Sequence, residues 1–270
     1  WRTRYLGQEC GHAKVRGSNF NYGDGLRMAM DLGAMPWGHW GGCHATPIVA
    51  EAPDYGVRNM TDKTNRLSYP FGVMLNMEGK RWIDEGADFN PFTYAKYGGL
   101  ILKQTAGVVY QIFDSKAVEL FEPRYWTSEP LKSDTLEGLV KQMKLDQTQA
   151  MKTLSEYNAA AARGGPFNPA ALDKLHTEGI TPAKTNWATK LDTPPYYSWA
   201  VTGGITFTFG GIKVNPSAQV ISTGWKPIDG LYACGEMVGG LFHYNYALGS
   251  GLMSGAVFGR IAGRQAAMRK

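Results

Sequence analysis

The chain has 270 residues, 43% of them hydrophobic and 12% aromatic, enough for one large or two modest domains with a real core. Its net charge is +5 with the Lys and Arg residues scattered, so it has no basic run of the kind that binds nucleic acid. No apolar segment reaches the ~18 residues of a membrane span. Three cysteines (Cys10, Cys43, Cys234), far apart and in no metal-ligand spacing, predict reduced thiols, no metal site and a cytoplasmic protein.

The first five residues, Trp-Arg-Thr-Arg-Tyr, contain no signal-peptide core, and the missing initiator Met predicts a start inside a longer gene product. Asp24 can cap a helix carrying Leu26, Ala29, Met30 and Leu32 at helical spacing, with Gly33 ending it. Gly41 to Pro47 is expected to be a loop from its Gly and Pro content. Phe71 to Asn76 predicts a strand, followed by a turn at Glu78-Gly79 and a second strand at Lys80 to Ile83. Val108 to Phe113 is another strand. Thr135 caps a predicted helix over Leu136 to Lys144, and Asp146 with Gln149 has capping-box spacing for a helix to about Ala162. Arg163 to Pro195, rich in Gly, Pro, Asn and Thr, reads as an irregular excursion. Strands resume at Tyr196 to Val201, Lys213 to Val214, Gln219 to Ile221 and Leu231 to Cys234.

The last of these strands runs into Gly235 and Glu236, and a glycine-dense loop then opens a helix near Ser250 or Gly251. Glycines let backbone N–H groups approach a ligand, and a helix N-terminus favours negative charge there. The pattern is that of a cofactor cradle.

Five blocks carry a family resemblance: Asn21-Tyr-Gly-Asp-Gly-Leu-Arg-Met-Ala, Val73-Met-Leu-Asn-Met-Glu-Gly-Lys-Arg-Trp-Ile-Asp-Glu85, Gly210-Gly-Ile-Lys-Val-Asn215, Pro227-Ile-Asp-Gly-Leu-Tyr-Ala-Cys-Gly-Glu236 and Ala256-Val-Phe-Gly-Arg-Ile-Ala-Gly263. Together they resemble the fumarate reductase/succinate dehydrogenase flavoprotein superfamily. Ser68 to Gly72, Asp84 to Phe89, Thr93 to Tyr97 and Gly204 to Gly211 resemble its tricarballylate dehydrogenase-like branch most closely. The match is to the C-terminal half of such proteins. No strand–Gly-x-Gly-x-x-Gly–helix unit, which holds the FAD pyrophosphate in that family, is present.

The resemblance implies an α/β fold with an α+β cap inserted: a partial, Rossmann-like FAD-binding domain with a fumarate reductase-type capping domain. Its segments would be 1–47 (part of the FAD domain), 48–195 (cap and substrate domain) and 196–270 (the rest of the FAD domain). The implied chemistry is hydride transfer between flavin N5 and a substrate carbon, making or reducing a C=C bond, on a polycarboxylate by family analogy. Implied partners are a small-molecule substrate, the missing N-terminal FAD-binding half and an electron-transfer protein. Two other readings stand beside it: a non-catalytic truncated or degenerate flavoprotein fragment, and a ketosteroid dehydrogenase-like activity on a carbonyl substrate.

The same resemblance assigns roles. Gly235 and Glu236 would meet the ribityl and ribose hydroxyls of FAD, and the amides of Ser250, Gly251, Leu252 and Met253 the flavin edge. His44 matches a histidine that binds a substrate carboxylate in fumarate reductases. Arg66 and Tyr69 lie beside the segment where the cap meets substrate, and His243 could line the same cavity. Three positions depart from fumarate reductases. Asn90, Phe207 and Ala247 stand where an arginine proton donor, a histidine and a second arginine are expected, so fumarate reduction itself is not expected. Phe207 would instead face a less charged substrate. Tyr246 falls where ketosteroid dehydrogenases carry a tyrosine that polarises a carbonyl, giving a second catalytic candidate.

Overall fold

The computed structural model describes residues 1–269. In chain order, strand β1 (Lys14–Val15) leads to helix α1 (Asp24–Asp31) and the long strand β2 (Pro36–Val49). Strand β3 (Val73–Asn76), helix α2 (Asn90–Leu102), β4 (Val108–Phe113), β5 (Leu131–Ser133), α3 (Leu136–Val140) and α4 (Gln147–Ala160) follow. The 17-residue β6 (Tyr196–Ile212), the hairpin of β7 (Gln219–Ile221) and β8 (Pro227–Tyr232), and helix α5 (Ser250–Met268) complete a mixed α/β fold.

β6 joins the parts. One of its edges pairs with β4 and then, in parallel, with β1; the other pairs with β5 and then with β2. Four of the other five strands in this sheet therefore pair with one chain segment, and β3 is added through β4. Helix α2 lies directly on β2 and β6. Its Gly98 packs so closely that a Cβ there would stand 2.3 Å from the Ala45 carbonyl oxygen.

Two helix starts follow their capping residues, whereas Asp24 is itself the first residue of α1 and caps nothing, the N-cap being Gly23. Thr135 Oγ1 accepts from Gly138 N at 3.0 Å, and Asp146 Oδ1 from Gln149 N at 2.9 Å. Two further expectations need correction, and one helix was not expected at all. The segment 41–47 is not a loop but part of β2, because β6 supplies partners for its backbone and the register breaks between Gly38 and Cys43 and between His44 and Ala45 absorb the irregularity. Lys80 to Ile83 is not a strand: Arg81 is drawn inward to Glu85, and the chain turns instead of pairing. Helix α2 lacked a signal because Gly98 and Gly99 depress helix propensity; tertiary packing overrides them.

Between β3 and α2 sits a buried charge cluster. Glu85 is fully buried, its Oε1 accepting from Met74 N (2.8 Å) and Arg81 Nε (3.1 Å) and its Oε2 from Arg81 Nη2 (2.5 Å). Arg81 also donates to Pro182 O at 2.6 Å, and buried Lys184 Nζ to Gly72 O at 2.6 Å. These contacts staple the irregular excursion 163–195 onto β3. Removing one member of a buried pair strands the other, so Glu85→Ala is expected to cost about 3–5 kcal/mol in denaturant unfolding. The double variant Arg81→Met/Glu85→Leu should cost clearly less than Glu85→Ala alone. A single-variant loss below about 1 kcal/mol would show that the pair does not hold this region.

Candidate active site

Two neighbouring features occupy the face where β2, β6 and the start of α5 meet. The first is a cleft of about 540 Å³ lined by Asn21, Gly23, Trp40, Thr206, Thr208 and Glu236, among others. Glu236 stands on a 3₁₀ turn (Gly235–Met237). Its Oε2 accepts from Asn21 Nδ2 at 2.9 Å and its Oε1 from Thr208 N at 3.3 Å. Desolvation raises its carboxyl above the ordinary range, and the two hydrogen bonds oppose that rise. Gly235 (φ +73°) and Gly249 (φ +80°) are left-handed, with nothing within 4 Å of where a Cβ would stand. The backbone there is bare and open.

The second feature is an aromatic box around His44. Its ring stacks on Phe207 (centroids 5.2 Å apart, planes at 8°) and meets the edges of Tyr94 (4.9 Å) and Tyr246 (4.7 Å). Phe242 closes the wall behind Tyr246 at 5.1 Å. His44 is buried, and neither ring nitrogen has a partner among the described residues. A buried polar group left this way calls for an explanation, such as a ligand, a catalytic role or an ordered water. Burial, with Arg16 nearby, pulls the imidazole down to about 3, so it is neutral at ordinary pH. Tyr94 is pushed up to about 12 by burial and by Tyr246, against the pull of Arg16, and stays protonated.

The start of α5 bridges the two features. A helix leaves its first amides without intrahelical partners. Here Gly251 N donates to Tyr246 Oη at 3.3 Å and Ser250 N to Ala247 O at 3.1 Å. Gly251 also touches Phe207, since a Cβ on it would lie 3.5 Å from the ring. Leu252 and Met253 point their side chains outward, 80% and 59% exposed, beside the Glu236 turn.

Other sequence candidates fall elsewhere. Arg66 is fully buried and not free for a substrate: it donates to Lys63 O, Asn65 O and Ser128 Oγ (3.1, 2.7 and 2.7 Å) and lies over the Tyr125 ring. It ties the 63–66 segment to the 123–128 turn. Tyr69 is likewise buried, its hydroxyl held by Thr93 Oγ1 at 2.5 Å. His243 is exposed and packs on His39 (4.5 Å) and Tyr244 (4.3 Å), outside the box. Asn90 donates to Leu67 O at 3.0 Å. Sequence reasoning missed Tyr94 and Arg16. Tyr94 was visible only as part of a family block, and Arg16 only as a charge between Val15 and Gly17.

The site chemistry fits part of FAD. A carboxylate on an open, left-handed turn suits ribityl or ribose hydroxyls, and the α5 N-terminus suits an electron-rich ring edge. No glycine-rich strand-to-helix unit for a pyrophosphate occurs among the described residues. Among them, too, no group of three or more His, Cys, Asp or Glu could hold a metal ion, and no helix is long and apolar enough to cross a membrane.

Comparison with known proteins agrees with this chemistry. A family model described as FAD binding domain matches residues 5–252. The chain is 31% identical over 249 residues to a probable fumarate reductase of Shewanella frigidimarina, covering 91% of this chain and 38% of that protein. The open conformation of a flavocytochrome c3 fumarate reductase superposes with a TM-score of 0.63 at 28% identity, covering 94% of this chain and 41% of that one. A 3-ketosteroid delta1-dehydrogenase from Sterolibacterium denitrificans, in complex with 1,4-androstadiene-3,17-dione, superposes with a TM-score of 0.72 at 23% identity, covering 100% of this chain and 51% of that one, which shows a shared fold. The chain thus spans only about two fifths of the fumarate reductases it matches. The family model covers most of the chain, and the protein belongs to the FAD binding domain family, with FAD as its cofactor.

Proposed function

We propose that this protein is an FAD-dependent oxidoreductase that makes or reduces a carbon–carbon double bond in a small-molecule substrate, with residues 48–195 acting as the cap over it. One observation carries the reading: a buried, unsatisfied His44 in an aromatic box that abuts the Glu236 cleft and the α5 N-terminus. The blocks around Ser68, Asp84 and Thr93 support a place in the tricarballylate dehydrogenase-like branch. Helix α5 has no buried residue, which fits an N-terminal FAD-binding half packing on it, as the length of the relatives suggests. An electron-transfer partner would complete turnover. The three cysteines are free, which fits the cytoplasm.

Bound FAD would supply reversible two-electron, hydride-level chemistry. Glu236 would accept hydroxyl hydrogens of the cofactor, and the first turn of α5 (Ser250 to Met253), whose Ser250, Gly251 and Met253 amides donate to Ala247 O, Tyr246 Oη and Gly249 O, would favour negative charge at the ring edge through the helix dipole. The walls of Tyr94, Phe207, Phe242 and Tyr246 exclude water from the reacting carbons. Neutral His44 donates one hydrogen bond to a substrate oxygen. Tyr246 Oη, which accepts from Gly251 N, is thereby a stronger donor to that oxygen, and protonated Tyr94 can deliver a proton to carbon. The Tyr246–Gly251 pair also supports a second reading, in which the acceptor oxygen belongs to a ketone, as in a ketosteroid-type substrate.

The first test is the visible spectrum of the purified protein together with its intact mass. A flavin band is expected, and Glu236→Ala should weaken FAD retention about 10- to 100-fold through lost charge-assisted hydrogen bonds. A colourless protein whose mass is that of this chain would favour the non-catalytic fragment.

A second test concerns His44. The unfolded imidazole takes a proton near 6.5 and the folded one only near 3, so the unfolded state binds more protons between those values. The stability contributed by neutral His44 is therefore full above pH 6.5 and is lost as pH falls from there toward 3. Unfolding curves from pH 7 to 4 should show a steeper acid loss for the parent than for His44→Gln, by on the order of a few kcal/mol. Parallel curves would mean that His44 titrates normally and is open to water.

A further inference from the structure

The pairing of β2 with β6 skips one residue. Cys43 faces Thr208, His44 faces Phe207 and Ala45 faces Ile205, leaving Thr206 as an extra residue without a β2 partner. Such bulges re-aim side chains and recur beside active sites. The residue that grips this one is Arg16, just beyond β1: its Nη1 donates to Thr206 Oγ1 at 2.9 Å and to Thr46 Oγ1 at 3.3 Å. Thr206 adjoins Phe207, and Thr46 lies two residues beyond His44. The guanidinium is therefore bonded to the residue before Phe207 and to the residue two beyond His44, the two stacked rings of the box.

Arg16 is under-compensated there. Its side chain is 11% exposed, while its nearest carboxylate, Asp62, is 77% exposed, 3.5 Å away and shared with Arg124 at 3.0 Å. Arg16 Nε is buried and has no partner among the described residues. A cation held by two neutral hydroxyls, with an unused N–H and a solvated counter-ion at 3.5 Å that it shares with Arg124, is only partly neutralised and retains a donor for an anion. Its influence reaches His44 and Tyr94, which both titrate lower because of it. The other arginine expected near the substrate, Arg66, is committed to carbonyls and hydroxyls elsewhere. The remaining walls of the box are aromatic and uncharged.

Resting on the flavoenzyme reading above, we propose that Arg16, set by the Thr206 bulge, is the anion-recognising residue of the substrate site, and that with His44 it selects a 2-enoate bearing one carboxylate on a flat, apolar body. A single cation matches a single carboxylate. Phe207, Phe242, Tyr94 and Tyr246 match a planar apolar remainder better than a second carboxylate, for which the box offers no further charge.

The experiment is a calorimetric titration of the purified protein with cinnamate, its neutral isostere cinnamamide, and fumarate, none of which requires turnover or bound flavin to report. The parent is expected to bind cinnamate at least tenfold more tightly than either alternative. Arg16→Gln should lose about 10- to 100-fold of the affinity for cinnamate and less than threefold for cinnamamide, with flavin content unchanged. Arg16→Lys should keep a preference for the acid over the amide, which covers the case in which Arg16→Gln fails to fold. Equal losses for acid and amide in a folded Arg16→Gln variant, or no loss for either, would overturn the proposal, as would tighter binding of fumarate than cinnamate by the parent. A protein that binds cinnamate through Arg16 but carries no flavin would defeat the flavoenzyme reading and leave Arg16 as the anion site.

Discussion

A single strand, β6, must find backbone partners along 17 residues, and the molecule is arranged around meeting that demand. β4 and β5 take its first third, one on each edge, and β1 and β2 take the remainder. The segment expected to form the cap and the segments expected to form the FAD domain therefore share one continuous sheet. The site lies just past that change of companions, where β2 alone pairs with β6. There the ladder with β2 slips by one residue, and the slip brings His44 and Phe207 face to face while leaving Thr206 to Arg16.

Helix α2 supplies the other half of the box by approaching the sheet without side chains in between. A Cβ at Gly98 would meet the Ala45 carbonyl, and one at Gly203 would stand 2.4 Å from the Gly98 carbonyl. Because the helix can lie this close, Tyr94 reaches the edge of the His44 ring. The polar groups that matter chemically are consequently held by backbone geometry at two glycines and one bulge, rather than by long salt-bridge networks. The strong ion pair, Arg81–Glu85, is placed instead where the irregular 163–195 segment has to be held down.

The electrostatics of the site follow from this packing. Enclosure by rings keeps His44 neutral and Tyr94 protonated, so neither is tuned to exchange protons freely with water near pH 7. Both are hydrogen-bond donors to something brought in. Glu236 faces an open cleft, retains two protein hydrogen bonds, and offers its remaining lone pairs outward. On the proposed function, the open polar cleft would suit the cofactor and the aromatic box the substrate.

Much of this could be read from the residues in order. Capping at Thr135 and Asp146, the strand Val108 to Phe113 and the glycine-marked start of α5 depend on neighbours within a few positions, so local rules suffice for them. The turn at Gly235 and Glu236 was equally legible, because a strand, a glycine and a carboxylate are nearly contiguous in the chain. Other features depend on partners far away in sequence. Gly41 to Pro47 becomes a strand only because β6 arrives some 160 residues later. Arg66 looked free until carbonyls and hydroxyls on two separate segments enclosed it. Arg16 and Tyr94 carried no motif, and only the bulge and the close helix packing set them beside His44. The sequence alone determined the cofactor class, since its determinants are local. Tertiary structure decided which cation and which rings surround His44, because that depends on register and on how closely two backbones can approach.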